Sequence, residues 1–243
     1  MNAAPRQLAL ALPQAASYAR ADLVADASNA AALRWADRPE GWPAGRLAVW
    51  GPAGVGKTHL LRAIAAERGW RLIEGPFLRG LPEPAPGGGG SRGTVVDDAD
   101  CAAEERALLH LVNLAAERGE SLLLAGRAAP ARWEVALPDL ASRLRATAAV
   151  AIGPPGEALL RALLAKQFSE RQLRVAPGLR EWLLARLPRE AAAVAEAAAR
   201  LDRAALARGV PVTRALARAA LAEWEGFGGT EEAGAAEEEA RLL

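Results

Sequence analysis

The chain has 243 residues, 51% of them hydrophobic but only 5% aromatic, and its abundant Ala and Leu favour helices around a core of ordinary size. Lys and Arg number 30 against 29 Asp and Glu, and the net charge of +1 argues against a protein that coats nucleic acid by bulk charge. The single cysteine, Cys101, excludes an internal disulfide, and no run reaches the roughly 18 apolar residues of a membrane span. A cytoplasmic chain with no membrane partner is the expectation.

Residues 1–20 read as a leader carrying Pro5 and Pro13, with too short an apolar stretch and too little charge (Arg6) for a secretory signal. Ala21–Trp35 reads as a helix that Ser28-Asn29 interrupts or restarts, and Pro39–Gly45 as a turn-rich connection. Arg46–Trp50 is a short apolar run that stops at a glycine loop, the pattern of a buried parallel strand. A helix over Lys57 to about Arg68 follows, then a strand over Trp70–Ile73. Arg79–Gly93, with three prolines and the run Gly87–Gly90, predicts a mobile loop, because it holds too little apolar surface to offset chain entropy. Thr94–Val96 reads as a strand ending in Asp97-Asp98, and Ala102–Arg118 as a helix stopped by Gly119. Strands over Ser121–Ala125 and Ala148–Ile152 flank a helix over Asp139–Arg145.

Beyond Glu157 strand patterns cease, and helices are predicted over about 157–173, 178–187, 190–208 and 213–225, punctuated by Pro177, Pro188 and Pro211. The expectation is an α/β domain with a parallel sheet over 21–153 and a small all-α domain over 154–227. A solvated acidic tail over 228–243 carries Glu231, Glu232, Glu237, Glu238 and Glu239. No internal repeat is present.

Gly51-Pro52-Ala53-Gly54-Val55-Gly56-Lys57-Thr58, placed between a strand and an amphipathic helix, is a phosphate-binding loop for ATP or ADP. Glycines let backbone N–H groups curl around phosphate oxygens, and the helix adds its positive N-terminal end. Lys57 is expected at the β- and γ-phosphates and the Thr58 hydroxyl on Mg²⁺. Asp97 is placed to hold the magnesium shell and Asp98 to polarise a water, with Asp100 as a cap for the following helix. His59 reads as a helix residue packed behind the loop, and His110 lies too far along to share a ligand set with it.

Gly54–Leu61 together with Asp97-Asp98 resembles the AAA+ ATPases of the DnaA replication-initiator group. Leu137–Leu144 is similar to the segment in which that group carries its arginine finger, and the stretch from Leu201-Asp202-Arg203-Ala204 resembles its lid helices. The resemblance spans about residues 15–225 and implies an AAA+ α/β domain with a helical lid. It also implies contact of His59 with the nucleotide site. Arg143 would point toward the γ-phosphate held by a neighbouring subunit, where a cation supplied in trans accelerates hydrolysis by about three to five orders of magnitude; Arg145 is the competitor for that role. The chain departs from the family at both sensors. Gly126 and Arg127 occupy the first sensor slot, and Ala192 the second, with Arg189 three residues upstream as a substitute. Nucleotide binding with weak intrinsic hydrolysis is the consequence.

Gln7-Leu8-Ala9-Leu10-Ala11-Leu12 alternates with period two and resembles the short peptide by which replication proteins dock on the sliding clamp (β) of DNA polymerase III. Gln7, Leu8, Leu10 and Leu12 would carry that contact. No helix-turn-helix module follows the lid, so no sequence-reading DNA domain is expected. The combination resembles a DnaA-related regulator with DnaA and the clamp as partners and a homodimer as its own allowed assembly. A self-contained AAA+ ATPase such as a helicase loader is the alternative; a small-molecule kinase ranks below both, for want of an acceptor-binding motif.

Overall fold

The computed structural model describes residues 18–20, 23–80, 93–224 and 227. They divide into two compact units, one ending at Pro155 and the other beginning at Gly156.

The first unit is built on five parallel strands: β1 (Arg46–Trp50), β2 (Arg71–Glu74), β3 (Gly93–Asp97), β4 (Ser121–Gly126) and β5 (Ala148–Ala151), in the order β2-β3-β4-β1-β5. Parallel pairing needs a crossover after each strand, and helices supply most of these connections. They are α2 (Lys57–Arg68), α3 (Glu105–Arg118) and α4 (Pro138–Arg145), with α1 (Ala30–Ala36) preceding β1. The two-residue period of the strands divides their side chains between two cores. Leu47, Val49, Val95, Leu123 and Ala125 pack with Leu60, Leu61 and Ile64 of α2 and Ala32 and Ala36 of α1. Ala48, Val96, Leu122 and Leu124 pack on the other face, with Leu108, Leu111 and Val112 of α3 and Leu140 and Leu144 of α4. The central strands are therefore covered on both faces and read as unbroken apolar runs, whereas edge strands β2 and β5 alternate in burial.

The second unit contains α5 (Glu157–Glu170), α6 (Pro177–Leu184), α7 (Ala191–Arg208) and α8 (Arg214–Leu221). Its core joins Leu160, Leu164, Phe168, Leu183, Leu201 and Leu221. The Thr213 hydroxyl caps α8 by accepting the Leu216 N–H at 3.2 Å, and Gly209 ends α7 in the left-handed region at φ 63°.

Several element ends shift from expectation. The helix expected from Ala21 starts only at Ala30, because the Asp26 carboxylate accepts the Ser28 N–H and the Asn29 side chain accepts the Asp26 N–H, closing a turn there. The helix expected from Ala102 starts at Glu105, since Ala99–Cys101 forms a separate 3₁₀ turn. α5 stops at Glu170, with Gln172 at φ 54° turning the chain away, and α6 and α8 end before 187 and 225. The acidic tail over 228–243 and most of the expected loop over 79–93 lie outside the described residues.

Gly51 leaves β1 at φ 157°, where an added Cβ would stand 2.2 Å from the Ile152 carbonyl oxygen. Gly51→Ala is expected to lower the stability of the α/β unit by about 2–3 kcal/mol. Gly178→Ala, at a helical position with open space around the Cβ, should be neutral or stabilising by about 0.5–1 kcal/mol. Urea unfolding followed by circular dichroism separates the two.

Candidate functional site

β1 delivers the chain to the carboxyl end of the sheet between two neighbours. The Gly51 N–H donates to the Gly126 carbonyl at 3.2 Å, and the Ile152 N–H donates to the Trp50 carbonyl at 2.7 Å. Residues 52–56 then loop over this end, and Gly56, at φ 99°, begins α2 so that the free N–H groups of its first turn face the loop. Positive φ at Gly54 (76°) and Gly56 turns successive N–H groups inward, the arrangement that cradles an anion.

Lys57 is 7% exposed and donates from Nζ to the carbonyls of Gly51 and Pro52, each at 2.8 Å. Burial lowers its pKa; Asp98, Asp97 and Asp100 oppose that shift and Arg127 adds to it. The Thr58 hydroxyl lies beside the carboxylate of Asp97, which is 5% exposed and accepts the Asp98 N–H at 3.1 Å. Burial raises the Asp97 pKa above the ordinary carboxylate value, against the pull of the Thr58 hydroxyl. A hydroxyl and a buried carboxylate side by side at this loop form a hard-oxygen pair. Mg²⁺ takes few protein oxygens and completes its shell with phosphate oxygens and water, so Thr58 and Asp97 fit it. Among the described residues no group of three or more His, Cys, Asp or Glu forms an all-protein metal cage. Bound there, Mg²⁺ would neutralise phosphate charge.

Asp98 is exposed and stands in the left-handed region at φ 48°, a conformation Asp tolerates better than most residues. Asp100 does not cap α3 as its spacing suggested. Its carboxylate accepts the Arg127 N–H at 2.6 Å and so ties the end of β3 to the end of β4. At the first sensor slot, a Cβ on Gly126 would meet the Trp133 ring at 2.7 Å and the Asp100 Cγ at 3.1 Å. No polar side chain fits there, and the next residue brings a cation whose charge reaches Lys57. His59 turns toward the chain before α1, edge-on to Tyr18 at 5.5 Å and 3.4 Å from the Ala19 carbonyl oxygen.

Arg143 lies at the other end of the sheet. α4 finishes at Arg145 and feeds β5, whose first residue, Ala148, pairs with Leu47 near the start of β1. The charge of Arg143 accordingly acts on Arg46, whose pKa is lowered by burial first and by Arg143 second. From Arg46 to Trp50 is about 13 Å of strand, so Arg143 faces away from its own phosphate loop. Among the described residues its guanidinium has no hydrogen-bond or ion-pair partner. Leu140 and Leu144 bury the neighbouring face of α4, and the Glu105 carboxylate holds the helix entrance by accepting the Ala136 N–H at 2.8 Å and the Leu137 N–H at 2.9 Å. Sequence reasoning missed Glu105, since a Glu in a helix's first turn already complements the dipole and carries no signal of a distant bond.

In the helical unit, Arg189 is exposed in the turn between α6 and α7, and Ala192 is exposed in the first turn of α7. Gln7, Leu8, Leu10 and Leu12 lie outside the described residues.

No protein family and no curated protein matches the chain by sequence. Solved structures do match its fold. Domain III of the Thermotoga maritima replication initiation protein DnaA superposes with a TM-score of 0.69 at 17% identity, covering 88% of this chain and 99% of that domain. The replication initiator DnaA bound to AMPPCP and single-stranded DNA gives 0.58 at 16% identity, over 90% of this chain and 69% of the initiator. The Thermotoga maritima RuvB Holliday junction branch migration motor gives 0.54 at 14%, over 72% of this chain and 60% of RuvB. The fold is that of the AAA+ P-loop ATPases.

Because its folded pKa is raised, Asp97 binds a proton more readily in the folded than in the unfolded chain. Its ionisation costs stability as pH rises from the unfolded value through the folded one, with the full cost present above both. Asp97→Asn keeps an acceptor for Thr58, and is expected to raise the melting temperature at neutral pH by roughly 2–4 °C, less toward acid pH. The same variant should weaken Mg²⁺-dependent nucleotide binding by about tenfold or more, read by fluorescent-nucleotide titration with and without Mg²⁺.

Proposed function

We propose that this chain is a nucleotide-binding regulator of DNA replication initiation that stimulates hydrolysis of ATP bound to the initiator DnaA, an activity like that of Hda, which its residue pattern resembles. The observation that carries this reading is the placement of Arg143: a charged, unpartnered guanidinium on a buttressed helix, directed away from the protein's own phosphate loop. An arginine there serves a nucleotide held by another molecule. It supplies the positive charge that the transferring phosphoryl group needs, in trans, as an arginine finger does. Arg145, exposed two residues on, is the lesser candidate.

The chain's own nucleotide, ADP or ATP with Mg²⁺ at Thr58 and Asp97, would then fix the interface rather than fuel it. Two features support weak intrinsic turnover. The first sensor slot holds no polar acceptor, and Ala192 offers no charge where the second sensor arginine is expected, leaving Arg189 as the substitute. Asp98 remains the group to polarise a water in whatever hydrolysis occurs. Gln7, Leu8, Leu10 and Leu12 would dock the protein on the sliding clamp, so that stimulation is confined to clamp loaded on DNA.

The test is the rate of hydrolysis of DnaA-bound ATP in the presence of clamp-loaded DNA. Wild-type protein should accelerate it, and Arg143→Ala should lose about three orders of magnitude of that acceleration while keeping its fold and nucleotide affinity. Lys57→Ala should lose stimulation together with nucleotide, and deletion of residues 1–12 should abolish clamp association and with it the stimulation, while leaving nucleotide affinity unchanged. Unchanged stimulation by Arg143→Ala overturns the proposal. Strong hydrolysis by the chain without a partner turns the reading to a self-contained AAA+ ATPase such as a helicase loader.

A further inference from the structure

The helical unit gathers cations around one indole. Arg186, Arg214 and Arg218 place their guanidinium carbons 4.9, 5.1 and 5.9 Å from the ring centre of Trp182. Each contact is a favourable cation–π interaction, but three like charges converging on one ring repel one another. Between residues 156 and 224 there are twelve Arg and Lys against seven Asp and Glu. Five ion pairs of this unit lie away from Arg214 and Arg218: Glu157 and Glu181 with Arg161, Glu170 with Lys166, Glu196 with Arg200 and Arg203. Arg214 and Arg218 are exposed and, among the described residues, have neither an ion pair nor a hydrogen bond. They stand four residues apart on one face of α8, about 6 Å along its axis. Small Ala215 and Ala219 alternate with them around an open hollow of about 720 Å³. A guanidinium stacked face-on to a ring keeps its N–H edges outward, in the fork that matches phosphate oxygens.

We propose that this face of α6 and α8 binds the phosphate backbone of duplex DNA without reading its sequence. Phosphate binding needs only charge and donors, both present here. An acidic protein partner would need an exposed apolar anchor at the centre of its contact, and here Trp182 is only 9% exposed while its neighbours on α8 are alanines. Single strands are held by stacking bases on accessible aromatic rings, which the same burial of Trp182 withholds. The duplex, with about one charge per 1.7 Å, offers the densest row of phosphates for a patch of this size. DNA lying on this face would hold the protein near its loaded partners without competing with them for specific sites.

The experiment uses the full chain and a short labelled duplex of arbitrary sequence, with no clamp and no initiator, so its outcome is independent of the proposed regulatory activity. Fluorescence anisotropy is measured from about 50 to 200 mM salt. Wild-type protein should bind with an affinity that falls steeply with salt. The Arg214→Gln/Arg218→Gln variant should bind at least tenfold more weakly at the low-salt end, with the slope of log K against log salt reduced by about 1.8. The Arg214→Lys/Arg218→Lys variant should retain the slope. Melting curves and Trp fluorescence establish that the variants keep the packing of Trp182. The proposal is overturned if wild-type protein does not bind at low salt, or if the double Gln variant binds with an unchanged slope. Poly-glutamate competing as well as unlabelled duplex overturns it in favour of an acidic protein partner.

Discussion

The site depends on the backbone of Gly51 fitting between the ends of two other strands. Its N–H is bonded to Gly126 on one side and its α-carbon lies against the Ile152 carbonyl on the other, too close for any side chain. Because β4, β1 and β5 are parallel and in register, this one passage aligns three strand ends at once. The phosphate loop rises from the middle strand, Arg127 from the next, and Asp97 from the strand beyond. A misplacement of Gly51 would therefore move Lys57, Asp97 and Gly126 relative to one another. Lys57 reinforces the arrangement by donating back to the Gly51 and Pro52 carbonyls, which closes the loop on itself.

The same parallel sheet separates two kinds of chemistry. Strand carboxyl ends carry the phosphate loop and Asp97-Asp98, while the amino ends of β1 and β5 carry Arg46 and, through the last turn of α4, Arg143. A sheet about one strand length deep keeps them apart. Like charge at Arg46 and Arg143 is tolerated because the Arg143 side chain is only partly buried and can remain hydrated, and the cost falls on buried Arg46. The glycine loop and Arg143 thus stand at opposite ends of the sheet.

Much of this was legible in the residues. The five strands are unbroken apolar runs or end in a functional group, and Gly51–Thr58 has a spacing that few other structures require. Asp97 does end its strand, as the apolar run before it suggested. What sequence could not supply was tertiary. The Asp100 carboxylate looks like a helix cap by spacing, but its partner is 27 residues away on another strand. Glu105 bonds the entrance to α4 over a similar gap. The start of α1 shifted because Asp26 and Asn29 bind local backbone instead of joining a helix, a competition that periodicity does not reveal. The Arg–Trp cluster of the helical unit was invisible for the same reason, since Trp182, Arg214 and Arg218 meet only when α6 packs on α8.

The bond from Glu105 to the Ala136 and Leu137 N–H groups gives α4 a metric property. Its eight residues are anchored at the entrance by a carboxylate, along one face by Leu140 and Leu144, and at the exit by β5. The backbone that carries Arg143 is therefore fixed in position, while its unpartnered side chain keeps its rotamer freedom. Inserting or deleting one residue within α4 ahead of Arg143 would turn that side chain by about 100° and shift it by about 1.5 Å along the axis, while surface substitutions on the same helix would leave its place unchanged. In this region, evolutionary drift should be written in residue identity and not in chain length.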